Sequence, residues 1–177
     1  ETTTNILTLD ADVANGWPKA IEQDPVGAGD FSKAMPAVAD LDGDGAKEVV
    51  VAVKNKIYVF RKDGSNFPGF PVAIDATSQG FFAGAVNVAD LDGDGRQEIV
   101  VQSGAGVGSM LFSSPIWVFK SDGSVMPGWP RYGHFSWDFH YPTVADLNGD
   151  GKKEIVVMED WTGYSSLSSV HYTLHAY

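Results

Sequence analysis

Three stretches of the chain make the same switch of pattern: a short apolar run, a loop in which aspartate alternates with other residues, then continuous Val and Ile. They read VADLDGDGAKEVVVAV at 38–53, VADLDGDGRQEIVVQS at 88–103 and VADLNGDGKKEIVVME at 144–159, roughly 50 residues apart, and such a period is a repeat signature. A second pattern follows the first two copies, IYVFRKDGSNFPGFPV at 57–72 and IWVFKSDGSVMPGWPR at 116–131. Asp-Gly between two apolar runs predicts a hairpin, because a tight turn needs residues that tolerate positive φ. Each unit therefore reads as four strands: a short one ending at the acidic loop, a Val/Ile-rich one after it, and the hairpin pair. The second strands, EVVVAV and EIVVQS, lack polar alternation, as expected where both faces of a sheet are covered. Helical periodicity is nowhere sustained.

Four-stranded units carrying one motif each predict an all-β fold of β-propeller blades, antiparallel within each blade. The repeats divide residues 1–177 into a partial blade at 1–33, a blade at 34–80, another at 81–133, and a partial blade at 134–177. The N-terminal ILTLDADVANGWPKAI, 6–21, matches a third and fourth strand, with Gly16, Trp17 and Pro18 in the places of Gly128, Trp129 and Pro130. The C-terminal VHYTLHAY, 170–177, matches a third strand alone. About three blades with incomplete ends predict either that another chain, or the remainder of a longer one, completes the ring, or that the segment around Trp17 pairs with the C-terminal third strand. Trp17, Phe70 and Trp129 recur at one position of the unit and read as structural.

The chain carries 12 Lys and Arg against 23 Asp and Glu, a formal charge of −11, which argues against nucleic-acid phosphate and anionic membrane surfaces and for cationic partners. No apolar run approaches the roughly 20 residues of a membrane span. Cysteine is absent, so redox compartment is left open. The loops explain much of the charge. Asp40, Asp42, Asp44 and Glu48 stand at positions 1, 3, 5 and 9, as do Asp90, Asp92, Asp94 and Glu98, and Asp146, Asn148, Asp150 and Glu154. Acids this close repel unless a cation lies between them, and all-oxygen ligation suits a hard ion, with the flexible coordination of Ca2+ fitting better than the octahedron of Mg2+. At position 7, occupied by Ala46, Arg96 and Lys152, only the backbone carbonyl can serve. The alternative, an Asp/Gly-rich turn that merely avoids strand pairing, accounts for one copy but hardly for three with the same offsets.

These blocks, with the DGS..PGWP hairpins, resemble FG-GAP/VCBS repeats, the unit of the integrin α-subunit propeller and of many secreted microbial proteins. The resemblance covers about residues 34–177, and GFFAGAVNVAD at 80–90 approaches the elements that name the family. It implies an extracellular propeller with Ca2+ in the loop between the first and second strands of each blade, three sites in this chain. It does not imply one ligand or reaction. The functional expectation is a secreted Ca2+-binding module for adhesion or ligand recognition, the alternative being a non-catalytic accessory segment of a secreted hydrolase.

A binding surface for protein or carbohydrate would use the loops opposite the Ca2+ loops. Two are dense in aromatics, 131–141 and 159–169, and supply His134, Phe135, Trp137, Asp138, His140, Trp161 and Tyr164. The same rings could instead fill blade packing or cover an edge. No Gly-x-Ser-x-Gly elbow, His-Glu-x-x-His or phosphate loop occurs, so no enzyme is expected. His171 and His175 fall on one face of a strand about 13 Å apart, too far to share a zinc.

Overall fold

Val50, Ala52, Ile99 and Val101 lie on one side of their strands and Val49, Val51, Val100 and Gln102 on the other, so each sheet can bury both faces only between neighbouring sheets. A computed structural model describes residues 16–21, 35–53, 55–73, 80–82, 85–105, 115–133, 142–162 and 170–177, and their regular structure is all β. The first sheet runs β1 (Ala37–Ala39), β2 (Glu48–Val53), β3 (Lys56–Phe60) and β4 (Val72–Ala73) in sequence order, every pair antiparallel. In the second, β7 (Glu98–Ala105) pairs with β8 (Ile116–Phe119) on one edge. Its other edge takes two short strands in turn, β5 (Gly80–Phe82) against Ser103–Ala105 and β6 (Asn87–Ala89) against Glu98–Val100. The third consists of β9 (Thr143–Ala145), β10 (Glu154–Thr162) and β11 (Val170–Ala176). Three antiparallel sheets, none closed, fit the expected all-β fold of incomplete propeller blades, although the second gains β5 and keeps its fourth strand only as isolated bridges. No helix among the described residues is long and apolar enough to cross a membrane.

Stacking builds the core. Val50, Ala52, Ile57 and Val59 of the first sheet meet Ile99, Val101, Trp117 and Phe119 of the second. The opposite face of the second, Val100, Ile116 and Val118, meets Ile155 and Val157 of the third. At about 1.5–3 kcal/mol per fully buried Val, Ile or Phe, these two interfaces are the main source of stability. The first strands converge on one side of the stack: Met35 and Ala85 form a parallel bridge, and the Asn87 side-chain amide donates to the Pro142 carbonyl at 2.6 Å. At the two ends of the described stack Val38 is 61% and Leu174 73% exposed.

The hairpin turn is one residue longer than the two-residue form that Asp-Gly suggests. Arg61 N donates to Ser65 O at 2.9 Å and Gly64 N to Arg61 O at 2.8 Å, with Gly64 alone at φ 73° closing a three-residue loop. Lys120, Ser124 and Gly123 repeat this geometry. Asp63 Oδ1 accepts from the amide and hydroxyl of Ser65, and Asp122 Oδ1 from those of Ser124, bonds that hold both carboxyls below the ordinary value.

The fourth strand is interrupted. After Asn66 bridges Phe60 the chain leaves the ladder through Pro68, Gly69, Phe70 and Pro71, then returns as β4, and the second unit leaves and returns the same way between Val125 and Arg131. Proline has no N–H for the ladder, so the excursion is free to reach the next sheet. A Cβ on Gly69 would overlap the carbonyl oxygen of Asp122, and one on Gly16 that of Asp63. Both glycines have φ near 87°, and the peptide bond after each following aromatic is cis. The aromatic residue then packs on the end of the neighbouring third strand, Trp17 edge-on to Phe60 at 5.9 Å and Trp129 edge-on to Tyr177 at 5.9 Å. Trp17 also donates its indole N–H to Lys62 O at 3.0 Å. This counts against the alternative in which the Trp17 segment pairs with the C-terminal strand: Trp17 packs on Phe60 of the first sheet and Tyr177 on Trp129, while residues 1–15 and 22–33 of the expected N-terminal partial blade lie outside the described residues.

Gly69→Ala should therefore separate the first two sheets and cost about 3 kcal/mol or more, whereas Gly128→Ala, with the same positive φ but open space around it, should cost only about 1–2 kcal/mol. Urea melts of the two variants compare them, and equal losses would refute the close-approach account.

The Ser65→Ala, Ser124→Ala double variant should be less stable than the parent at neutral pH. Because both Asp carboxyls titrate below their ordinary 3.8, the turn's contribution is present above that value and lost as pH falls through the lower folded ones. Melting curves of the two proteins should accordingly converge in strong acid, and a gap independent of pH would exclude the carboxylate.

Candidate metal centre

Each acidic loop is wound by its own side chains. Asp40 accepts from Gly43 N at 2.8 Å and from Gly45 N at 2.9 Å, Asp42 from Asp44 N at 3.2 Å, and Asp44 from Ala46 N at 2.7 Å. Gly43 and Gly45 take φ of 77° and 88°, which L side chains rarely adopt. Asp90, Asp92 and Asp94 form the same set with Gly93, Asp94, Gly95 and Arg96, and Asp146, Asn148 and Asp150 with Gly149, Asp150, Gly151 and Lys152. The glutamate at position 9 reaches back: Glu48 Oε2 accepts from Leu41 N at 3.0 Å, Glu98 Oε2 from Leu91 N at 2.9 Å and Glu154 Oε2 from Leu147 N at 2.8 Å. In the first loop these bonds use Asp42 Oδ1, Asp44 Oδ1 and Glu48 Oε2, and among the described residues no amide donates to Asp42 Oδ2, Asp44 Oδ2 or Glu48 Oε1. Among the described residues, one carboxylate oxygen each from Asp40, Asp42 and Glu48 lie within 4.8 Å of one another, as do those of Asp90, Asp92 and Asp94.

The next sheet roofs the first loop fully and the second in part. Leu41, at position 2, is 0% exposed, Leu91 is half-buried, and Leu147, with no described sheet beyond it, is 60% exposed. Gln97 N donates to Leu41 O at 3.1 Å, tying the first loop to the second sheet. Glu48 and Glu98 are buried under the same cover. That burial pushes both carboxyls above the ordinary value, and neighbouring aspartates add to the push against the Leu41 and Leu91 amides, which oppose it. A buried carboxylate among like charges is the environment that a bound cation relieves, and the donor set is oxygen throughout.

The loops differ in what faces their acids. No Lys or Arg among the described residues pairs with the acids of the first loop. In the second, Lys120 Nζ lies 3.0 Å from Asp92 Oδ2, which holds the Asp92 carboxyl low and raises the lysine. Its counterpart in the first unit, Arg61, lies instead over the Phe67 ring at 5.4 Å. In the third, Asn148 Oδ1 takes the Asp150 amide as Asp42 Oδ1 takes that of Asp44, so Nδ2 points at Asp150 Oδ2, 3.1 Å, and Glu154 Oε1, 3.4 Å. A donor thus stands where the other loops present an oxygen. Lys120 was not legible as part of the site from its motif, although its place just after the third strand, at the loop end of the blade, carries the signal. Position 7 residues donate their amides to the position 5 side chains, and the side chains of Arg96 and Lys152 are exposed.

Of the candidate ligand surface, His134, Phe135, Trp137, Asp138, His140 and Tyr164 lie outside the described residues. Trp161 is on β10, in register with His171, so the strand runs further than the loop expected from 159. His175 takes the place of Tyr58 and Trp117, stacking on Tyr177 at 5.9 Å as they stack on Phe60 and Phe119, and its Nε2 meets Glu159 Oε2 at 2.8 Å.

Residues 19–101 match the profile of the FG-GAP-like repeat family, in agreement with the resemblance carried by the loops. A solved structure, described as the crystal structure of the V. cholerae biofilm matrix protein Bap1, is similar over 78% of this chain at 23% identity and a TM-score of 0.35. The chain spans 26% of that one. No curated protein sequence matches the chain.

In chelator, Asn148→Asp should lower stability by a few tenths to about 1 kcal/mol, since it removes two exposed amide bonds and adds a like charge. A thermal melt of the metal-free variant checks this, and an unchanged melt would show that the Asn148 amide does not offset the charge of Asp150 and Glu154.

Proposed function

We propose that this FG-GAP-like repeat chain is an extracellular, non-catalytic propeller segment that uses Ca2+ as a structural ion and serves adhesion or ligand recognition. The observation that carries the reading is the first loop: oxygens of Asp40, Asp42 and Glu48 gathered within 4.8 Å, and Glu48 buried beneath the second sheet, with no ion pair to a Lys or Arg among the described residues. Carboxylates on a flexible Asp/Gly loop suit the 6–8 oxygen ligands of Ca2+ better than the strict octahedron of Mg2+. Extracellular modules of this kind bind at about 10⁻⁴–10⁻³ M, so millimolar Ca2+ outside a cell would fill them and the cytosol would not. Because the leucine at position 2 and the glutamate at position 9 sit in the sheet interface, filling a loop would also firm the contact between blades. The adhesion or recognition role rests on the family and on the stacked, open array, whose outward apolar faces suit a further blade from the same chain or another one. A protein or carbohydrate ligand would meet the loops at the opposite end.

Chelation should lower the melting temperature, and Ca2+ at 100 times its Kd should restore about 2.7 kcal/mol per filled site, or several degrees for a domain of this size, with Mg2+ restoring less. Scanning calorimetry in EDTA, then with each ion, tests this. A curve indifferent to both ions would sink the metal reading.

A further inference from the structure

We infer that Lys120 is a built-in counter-ion of the second acidic loop, so that this loop takes up Ca2+ only by displacing a lysine and fills after the first. The inference rests on the Ca2+ reading and deepens it. The two loops have the same acids at the same positions, one basic residue each across positions 7 and 8, and the same backbone bonds, so the loops by themselves give no reason for unequal affinity. The difference comes from outside the loop. Lys120 and Arg61 occupy one position of the repeat, the first residue after the third strand, each donating its amide to the serine four residues on. Arg61 lies over Phe67, while the second unit has Met126 in place of that ring. With no aromatic face to hold it, the Lys120 ammonium turns to Asp92 Oδ2 at 3.0 Å, where its field also reaches Asp94 and Glu98.

Asp92 Oδ2 is the atom that corresponds to Asp42 Oδ2 in the first loop, the oxygen with no backbone donor. The ammonium therefore occupies a ligand position, as a second positive charge beside any ion that enters. Lysine is suited to this, being a compact charge on a flexible stem that can swing away, and about one-third of the side chain is exposed. The second loop keeps part of its charge compensation without an ion, whereas the first depends on one. Since Gly43 of the first loop lies against Gly95 of the second, the arrangement lets one loop respond to Ca2+ while its neighbour holds the scaffold.

The amides of Gly45 and Gly95 each donate to the position 1 aspartate, at 2.9 and 3.0 Å, and so report their own loops. We expect an NMR titration of the 177-residue chain with CaCl2 to shift Gly45 at lower Ca2+ than Gly95. Lys120→Gln should tighten the Gly95 transition about tenfold and leave Gly45 in place, while Lys120→Arg should not tighten it. Arg61→Lys supplies the converse, weakening the Gly45 transition, and serves if Lys120→Gln disturbs the fold. Equal midpoints at Gly45 and Gly95 in the parent protein, or a Gly95 midpoint unmoved or weakened in well-folded Lys120→Gln, would overturn the proposal while leaving the Ca2+ reading intact. Absence of any shift at either glycine would instead overturn the Ca2+ reading, and this inference with it.

Discussion

The face-to-face packing of successive sheets is the interaction on which everything else in the molecule depends. A strand such as EVVVAV has no polar side to turn to water, so its sheet gains stability from each face that a neighbour covers. Val50 and Ala52 look to the second sheet and Ile99 and Val101 look back, and the same strand turns Val100 to the third. A single blade of four short strands buries too little to hold itself together, and stability grows with each interface added.

Two backbone features make that packing close. Gly69 meets the Asp122 carbonyl and Gly123 the Gly69 carbonyl, so at one corner the sheets touch main chain to main chain. The proline-bounded excursion in the fourth strand carries the glycine there. Consequently the aromatic residue of one unit lies on the third strand of the next, and the blade is a unit of sequence but only half a unit of packing. The acidic loop is part of the same joint. Leu41 and Glu48 are covered by the sheet that follows, which raises the electrostatic cost of the glutamate and makes compensation by a cation more useful than it would be in an open turn.

Near-identical loops consequently have different electrostatics. The acids of the first form no ion pair with a Lys or Arg among the described residues, those of the second pair with Lys120, and in the third an amide NH2 replaces an oxygen. A replacement of Asp by Asn at position 3 is more than a lost charge: the backbone bond claims Oδ1, which turns the donor nitrogen toward the acids.

Sequence by itself determined the strands, the blades, the acidic loops and the Asp-Gly hairpins, because these rest on short-range chemistry: period, β-branching, positive φ at glycine, and carboxylates spaced to cap their own loop. The Gly-aromatic-Pro triplet at Trp17, Phe70 and Trp129 was legible as a repeat but not as a joint, since its partners Phe60 and Tyr177 lie a unit further along. The hairpin was legible, and its three-residue turn was not, because Asp-Gly serves both turn lengths. Tertiary structure alone decided which face of each sheet meets which, which leucine is roofed, and where Lys120 and Arg61 put their charges. Most of those outcomes depend on a neighbour about 25–60 residues away, as Lys120 does on Asp92 and Trp17 on Lys62, and a local pattern carries no information about what will stand opposite it.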